Sequence, residues 1–317
     1  MSFFAILLAL LLEQARPLER GNPVHASLRR WVRWVIRNCD AGKSHHGWLV
    51  WSLTVGVPTL AALLVHGLLL GLLGWFAAML WSVAILYVTL GFRQFSHHFT
   101  EIRDALEAGD EEQACRLLAQ WQHIDAHELP RREIVRHVLE HSVLAAHRHV
   151  FGVLTWFSLL AALGLGPAGA VLYRVSEFVG RDWRPADPAH PRHHPVSEAV
   201  RAVAARAWQA VDWLPARATA LGFAVVGSFE DAIDSWRAHE ASVADGDNDG
   251  VILAATAGAI NVRLGAAAAP VASEPDLAAG RQEPELAHLR SIVGLVWRSV
   301  VLWMVLLALL TLARLLG

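Results

Sequence analysis

Between Gly47 and Phe92 the chain carries a single side chain that can be charged near neutrality, His66. At about 1.5 Å of rise per residue, a helix of this length crosses the hydrocarbon core of a bilayer twice. In lipid every backbone amide must find its partner inside the protein, so a charge-free run of this kind commits the chain to helices or a closed barrel. The overall balance, 55% hydrophobic residues against 18% charged with mean hydropathy +0.37, favours helices. The fold class read from the sequence is all-α: a polytopic membrane helical protein with a polar cytosolic helical insert. The reversal inside the run falls near His66-Gly67 or near Gly71 to Gly74. Arginines stand on both flanks, Arg37 before it and Arg93 after it, which places both ends in the cytoplasm.

Around this hairpin the chain divides into five stretches. Residues 1–92 form an N-terminal membrane region: Met1 to Leu12 as a short membrane-entering helix, then a basic segment over 13–46, then the hairpin. In the basic segment Trp31 and Trp34 interleave with Arg29, Arg30, Arg33 and Arg37, the pattern of a helix at the headgroup level. Residues 93–149 form the polar insert, with helices ending at Gly109, restarting at Asp110 and restarting again after Pro130. Residues 150–265 hold a central span over Val150 to Tyr173, a Pro/His-rich loop over 181–195 and two less apolar helices, 210–229 and 251–265. The central span is broken by Gly164-Leu165-Gly166-Pro167-Ala168-Gly169. Residues 266–290 read as an Ala/Pro/Glu linker, and 291–317 as a C-terminal transmembrane helix whose Arg298 and Arg314 can snorkel.

The charges and special residues exclude several functions. A formal charge of -2 argues against nucleic acid as a partner and leaves the lipid bilayer as the evident one. Cys39 and Cys115 lack the spacing of a redox pair or thiolate zinc site. His137 and His141 share a helix face at i,i+4, as two metal ligands would, but no acidic residue completes an H-E-x-x-H pattern. Asp245-Gly246-Asp247-Asn248-Asp249-Gly250 imitates the opening of a calcium loop, yet its twelfth position is Thr256 where a bidentate carboxylate is required. No metal site is therefore expected. Walker-type, nucleophile-elbow and dinucleotide motifs are lacking.

The run Asn248-Asp249-Gly250, followed by Ala257-Gly258-Ala259-Ile260-Asn261-Val262-Arg263-Leu264-Gly265, resembles the C-terminal signature of the CobD/CbiB family of membrane-bound cobalamin-biosynthesis proteins. Upstream, Trp213-Leu214-Pro215-Ala216-Arg217 with Thr219-Ala220 is similar to the family's W-x-P-A-R-x-T-A. Gly166-Pro167-Ala168-Gly169-Ala170 before Tyr173-Arg174 matches its glycine-rich break. Arg136 and Glu140 fall on its R-x-x-x-E, Asp125 on the aspartate of its G-R-D-T, and Asn22-Pro23-Val24 on its early H-P-V. The resemblance implies an adenosylcobinamide-phosphate synthase in the bacterial inner membrane, condensing adenosylcobyric acid with an aminopropanol phosphate. Glu140, Asp125 and Asp212 become the candidate catalytic residues. Arg136, Arg217, Asn248, Gly250 and Arg263 become the candidate contacts to substrate, a corrinoid precursor included. It would further imply a nucleotide and a divalent metal, for which the ligand set is not intact.

The departures cluster. The family's A-E-N-x-x-D-G is replaced by Leu144-Ala145-Ala146-His147-Arg148-His149. Its paired aspartates become Trp208 and Gln209, the asparagine before W-x-P-A-R becomes Asp212, and a glutamate after N-x-G becomes Leu253. Asp212-Trp213-Leu214-Pro215-Ala216-Arg217 also fits the AmpE branch, inner-membrane proteins linked to β-lactamase regulation. Two readings follow: an amide-forming enzyme of corrinoid biosynthesis with weakened activity, or a non-catalytic AmpE-like regulatory or sensory protein. A metal or small-solute membrane protein built on the histidines is a third.

Overall fold

The computed structural model describes residues 2–16, 23–40, 42, 44–122, 129–184, 196–243, 246–265 and 280–316. In chain order the helices are α1 (Ser2–Ala15), α2 (Pro23–Cys39), α3 (Ser44–Leu73), α4 (Trp75–Thr89), α5 (Phe92–Glu107), α6 (Glu111–Gln122) and α7 (Arg131–Ala146). A π-helical turn, His147–Phe151, leads into α8 (Gly152–Ala162) and α9 (Ala168–Asp182). Then come α10 (Glu198–Val226), α11 (Phe229–Ser242), α12 (Asn248–Ile260) and α13 (Leu286–Leu316). The fold is all-α; among the described residues the β-pairing is confined to one isolated parallel bridge, Val262 to Gln282.

Among the described residues, three helices are long and apolar enough to cross a membrane: His46–Leu73, Arg131–Ala162 and Leu286–Ala313. The second differs from the expected span. The helix of the polar insert runs through the π turn into α8 without a break, and the Gly/Pro segment after Ala162 is a reversal, not an interruption. Gly164 and Gly166 take positive φ (80° and 56°) to make that turn. Of the Pro/His-rich stretch 181–195, Arg181 and Asp182 belong to α9, while 185–195 and most of the linker, 266–279, lie outside the described residues.

Contacts divide the chain into two compact units, 1–91 with 152–214 and 92–151 with 215–317. In the first, α3 and α4 form the hairpin, reversing at Gly74 (φ 81°), the later of the two positions open from sequence. Leu60, Leu64 and Leu68 line up exposed on α3, an unpartnered apolar stripe. α2 turns back along α3, burying Val32 and Val35. Its contact with α3 compensates a proline. Pro58 lies inside α3 and has no N–H for the carbonyl of Thr54, four residues back; the Trp31 indole N–H donates to that oxygen at 3.3 Å. The same device recurs in α10, where Pro215 deprives Val211 of its donor and the Trp156 indole N–H supplies one at 2.9 Å.

α8 and α9 pack as an antiparallel pair so closely that glycine is obligatory at two points. A Cβ on Gly152 would lie 2.0 Å from Cζ of Tyr173, and one on Gly169 2.0 Å from the Trp156 carbonyl oxygen. α10 starts at Ser197, whose Oγ accepts from the Val200 amide (3.4 Å), while its own N–H and O–H donate to Asp40 at 2.9 and 2.7 Å. Burial alone would raise the Asp40 pKa; the Ser197 and Gly42 donors outweigh it and hold the carboxyl below its ordinary value.

In the second unit the insert helices form as their periodicity predicts. Asp110 caps α6 by accepting from the Gln113 amide (2.8 Å), and α7 buries Ile134, Val135, Val138 and Leu139. α12 is the buried centre of this unit: Val251, Ile252, Ala255, Ala257 and Gly258 all lie inside. α11 runs antiparallel to it at backbone contact. A Cβ on Gly258 would come within 2.2 Å of the Asp231 carbonyl oxygen, and one on Gly227 within 2.7 Å of Ala259.

Candidate functional site

The polar groups of the second unit gather at the two ends of α12. At its start, Asp247 is the N-cap: Oδ1 accepts from the Gly250 amide at 3.0 Å, and Oδ2 lies 3.1 Å from Nε2 of His239 on α11. Gly250 has no room for a side chain, since a Cβ would stand 2.1 Å from Asp247 Oδ2 and 2.2 Å from His239 Nε2. Of the acidic run that imitates a calcium loop, Asp247 to Gly250 thus cap and open a helix, and Asp245 lies outside the described residues. Asn248, buried, accepts through Oδ1 from Arg217 Nη1 (3.2 Å), and Arg217 Nη2 pairs with Glu240 of α11 at 2.7 Å.

The π turn brings two more residues. Arg148 pairs with Asp249 at 2.5 Å, and His147 Nδ1 lies 2.9 Å from Thr219 Oγ1, both fully buried. A π turn displaces the helical register by one residue and so re-aims its side chains, which is why such turns recur at functional positions. α10, α11, α12 and the π turn therefore converge on one helix N-terminus, where the macrodipole and unpaired amides favour negative charge.

The far end of α12 is made by the glycine-bearing signature. Asn261 adopts the left-handed conformation (φ 54°, ψ 47°), and the amides of Asn261 and Val262 close on the carbonyls of Gly258 and Ala257. The chain beyond is pinned by Gln282: Arg263 N–H donates to its carbonyl (3.0 Å), and its amide donates to the Asn261 carbonyl (3.1 Å). Gly265, at φ 68°, donates its amide to Oε1 of Glu140 at 2.8 Å. Arg136 braces the same carboxylate at 3.2 Å and also pairs with Glu133.

The expected site residues thus divide. Arg217, Asn248 and Gly250 stand at the start of α12; Arg136, Glu140 and Arg263 stand at its end. With 13 residues, α12 itself is about 20 Å long. Asp212 belongs to the first unit, fully buried, where Tyr173 Oη donates to its Oδ1 at 2.8 Å and the Trp208 ring lies tilted against the tyrosine. Asp125 lies outside the described residues. His147, Arg148, Thr219, His239, Glu240 and Asp249 join the first group without having been singled out for it. The signal was present for two of them, because His147 and Arg148 occupy the stretch that departs from the family pattern. The described carboxylates do not fit a divalent metal: Glu140 is taken by Arg136 and the Gly265 amide, Asp249 by Arg148, and Asp247 by its own helix cap. Among the described residues, no group of three metal-ligating side chains forms. His141 packs edge-on against Trp121, with ring centroids 4.4 Å apart.

A family model described as "CobD/Cbib protein" matches residues 3–296. The chain belongs to the CobD/CbiB family. The protein from Stutzerimonas stutzeri named "Cobalamin biosynthesis protein CobD" is 30% identical over 269 residues, covering 84% of this chain and 82% of its own length. A protein of the same name from Chromobacterium violaceum is 30% identical over 224 residues, covering 70% and 67%. No solved structure matches. Within this CobD/CbiB chain, the family's W-x-P-A-R arginine, Arg217, meets the asparagine of its N-x-G, Asn248, while its R-x-x-x-E pair meets the closing glycine of its C-terminal signature.

Proposed function

We propose that this protein acts in cobalamin biosynthesis as a multi-pass protein of the bacterial inner membrane, joining an aminopropanol phosphate to a corrinoid carboxyl through an amide. The observation that carries this reading is the meeting of Arg217 and Asn248 at the N-terminus of α12, with Arg148 delivered beside them by the π turn. A phosphate is the natural occupant of such a place: two guanidiniums offer forked donors and the helix end adds amide N–H groups. Binding would exchange the carboxylate partners Glu240 and Asp249 for phosphate oxygens. Amide formation also needs the amine stripped of its proton and the carboxyl activated by a nucleoside triphosphate as co-substrate, whose cleaved phosphate carries away the displaced carboxyl oxygen. Buried His147, against Thr219, flanks Arg148 in sequence and can accept a proton, as can His149 on its other side. Glu140 serves better as a positioning residue, since its carboxylate fixes Gly265 and through it the backbone that carries Arg263.

The test is complementation of a strain lacking its own synthase, paired with product formation by the purified protein from adenosylcobyric acid and aminopropanol phosphate with a nucleoside triphosphate and magnesium supplied. Wild type restores growth and yields the amide; Arg217→Ala and Arg263→Ala lose both while inserting normally in membranes. A well-expressed wild type that yields no amide refutes the enzymatic reading. One observation favours the second, non-catalytic AmpE-like reading. His147, Arg148 and His149 replace acidic and amide groups of the family pattern, and both arginines at the α12 terminus already hold carboxylates.

A further inference from the structure

The first unit holds a cavity of about 370 Å³ between α2, α3, α4 and α9, lined by none of the residues gathered at the two ends of α12. Its wall is apolar for most of its length: Pro58 and Val65 from α3, Trp81, Ile85 and Val88 from α4, and Val175 from α9. The exceptions are grouped. His25 from α2 and Arg174 and Arg181 from α9 also line it. Arg174, 13% exposed, and Arg181, 57% exposed, share one carboxylate, Glu177, at 3.1 and 3.5 Å, and Glu177 is itself 3% exposed. Two guanidiniums against one carboxylate leave a net positive charge at the edge of an apolar slot. His25, half-buried, lines the same cavity beside Arg174. Its burial, with Arg174 and Arg29 nearby, keeps the imidazole below its ordinary pKa, so its other charged neighbours are cations.

We infer that this cavity is a binding site for an anionic phospholipid, its phosphate held by Arg174, Arg181 and His25 and one acyl chain lying between α3, α4 and α9. Charge complementarity selects the head. A basic pocket between membrane helices is the standard lodging of an anionic lipid headgroup, and a mostly apolar slot of a few hundred Å³ with a few convergent polar groups is how an amphiphile is held. Ala61 of α3 lines the cavity and is exposed, so that wall is reached from outside. A free phosphate would use the guanidiniums but leave the slot empty, and a zwitterionic lipid would fill the slot but set its own cation against Arg181.

The experiment is native mass spectrometry of the full-length chain released from detergent after incubation with phosphatidylglycerol or phosphatidylcholine of the same acyl composition, with inorganic phosphate as competitor. Wild type should retain phosphatidylglycerol in preference. Arg181→Gln, at an exposed position, should reduce that preference about fivefold, the weight of one surface arginine toward an anionic lipid. Val88→Phe should abolish retention of both lipids by filling the slot. Should Val88→Phe fail to fold by circular dichroism and size exclusion, Ala61→Phe fills the same slot from an exposed position. Equal retention of the two lipids, full displacement by millimolar phosphate, or an Arg181→Gln protein indistinguishable from wild type would each overturn the assignment.

Discussion

Trp156 and Pro215 should be energetically coupled although neither side chain is charged. Pro215 cannot donate to the Val211 carbonyl, and the Trp156 indole does so at 2.9 Å. Trp156→Phe removes that donor and leaves a partly buried carbonyl unsatisfied, at a cost of about 1–3 kcal/mol beyond the smaller ring. In a Pro215→Ala background residue 215 recovers its N–H, which sits where an α-helix puts the donor for Val211. Trp156→Phe then costs only packing. The double-mutant cycle should therefore show a coupling of about 1–2 kcal/mol, or roughly 2–8 °C between the two shifts in melting temperature for a domain of this scale. Thermal unfolding of the four detergent-purified proteins, followed by size-exclusion recovery, measures it. The Trp31–Pro58 pair, with its longer 3.3 Å contact to Thr54, should show the same sign and a smaller value. Additivity within about 0.5 kcal/mol for both pairs would mean the indoles merely pack, and the compensation argument would be wrong.

Gly258→Ala should destabilise the protein by about 3 kcal/mol or more, because its Cβ would stand 2.2 Å from the Asp231 carbonyl oxygen and α11 and α12 must part. Gly294→Ala in α13, with nothing within 4 Å, should be neutral or stabilise by up to about 1 kcal/mol; equal melting shifts would refute the close approach. Asp40 has a depressed pKa, so its contribution is complete above the ordinary carboxylate value of 3.8 and is lost as pH falls through the lower folded value. Amide exchange at the start of α10 should thus be faster in Asp40→Asn than in wild type at neutral pH, and the difference should shrink in acid. Reversing Arg148 or Asp249 alone should abolish complementation, and the exchanged pair Arg148→Asp with Asp249→Arg should regain stability through a coupling of about 1 kcal/mol without regaining activity. Recovery of full activity by the exchanged pair would remove Arg148 from the phosphate site.

What could be read from the sequence was whatever depended on neighbours along the chain. The α3–α4 hairpin follows from a stretch with His66 as its one ionisable side chain, and α5, α6 and α7 follow from apolar spacing and the Asp110 and Pro130 boundaries. The run from Asp245 to Gly250 was ambiguous because calcium loops and helix caps use the same short acids and glycines; what decides between them is His239 against Asp247 and the space denied to a side chain at Gly250. The indole–carbonyl pairs could not be read, since Trp156 and Val211 lie 55 residues apart and nothing in composition links them. The family signature named Arg217, Asn248, Glu140 and Arg263 but could not separate them to opposite ends of α12. That separation changes what the lost acidic groups mean. His147 and Arg148 fall at the α12 terminus with Arg217, while Glu140 remains at the other end. The substituted residues therefore make the terminus more cationic without touching the carboxylate that fixes Gly265. Whether such a chain still forms an amide reduces to a local competition. An incoming phosphate must displace Asp249 from Arg148 and Glu240 from Arg217, and the helix N-terminus, which also attracts those carboxylates, favours whichever anion brings more charge.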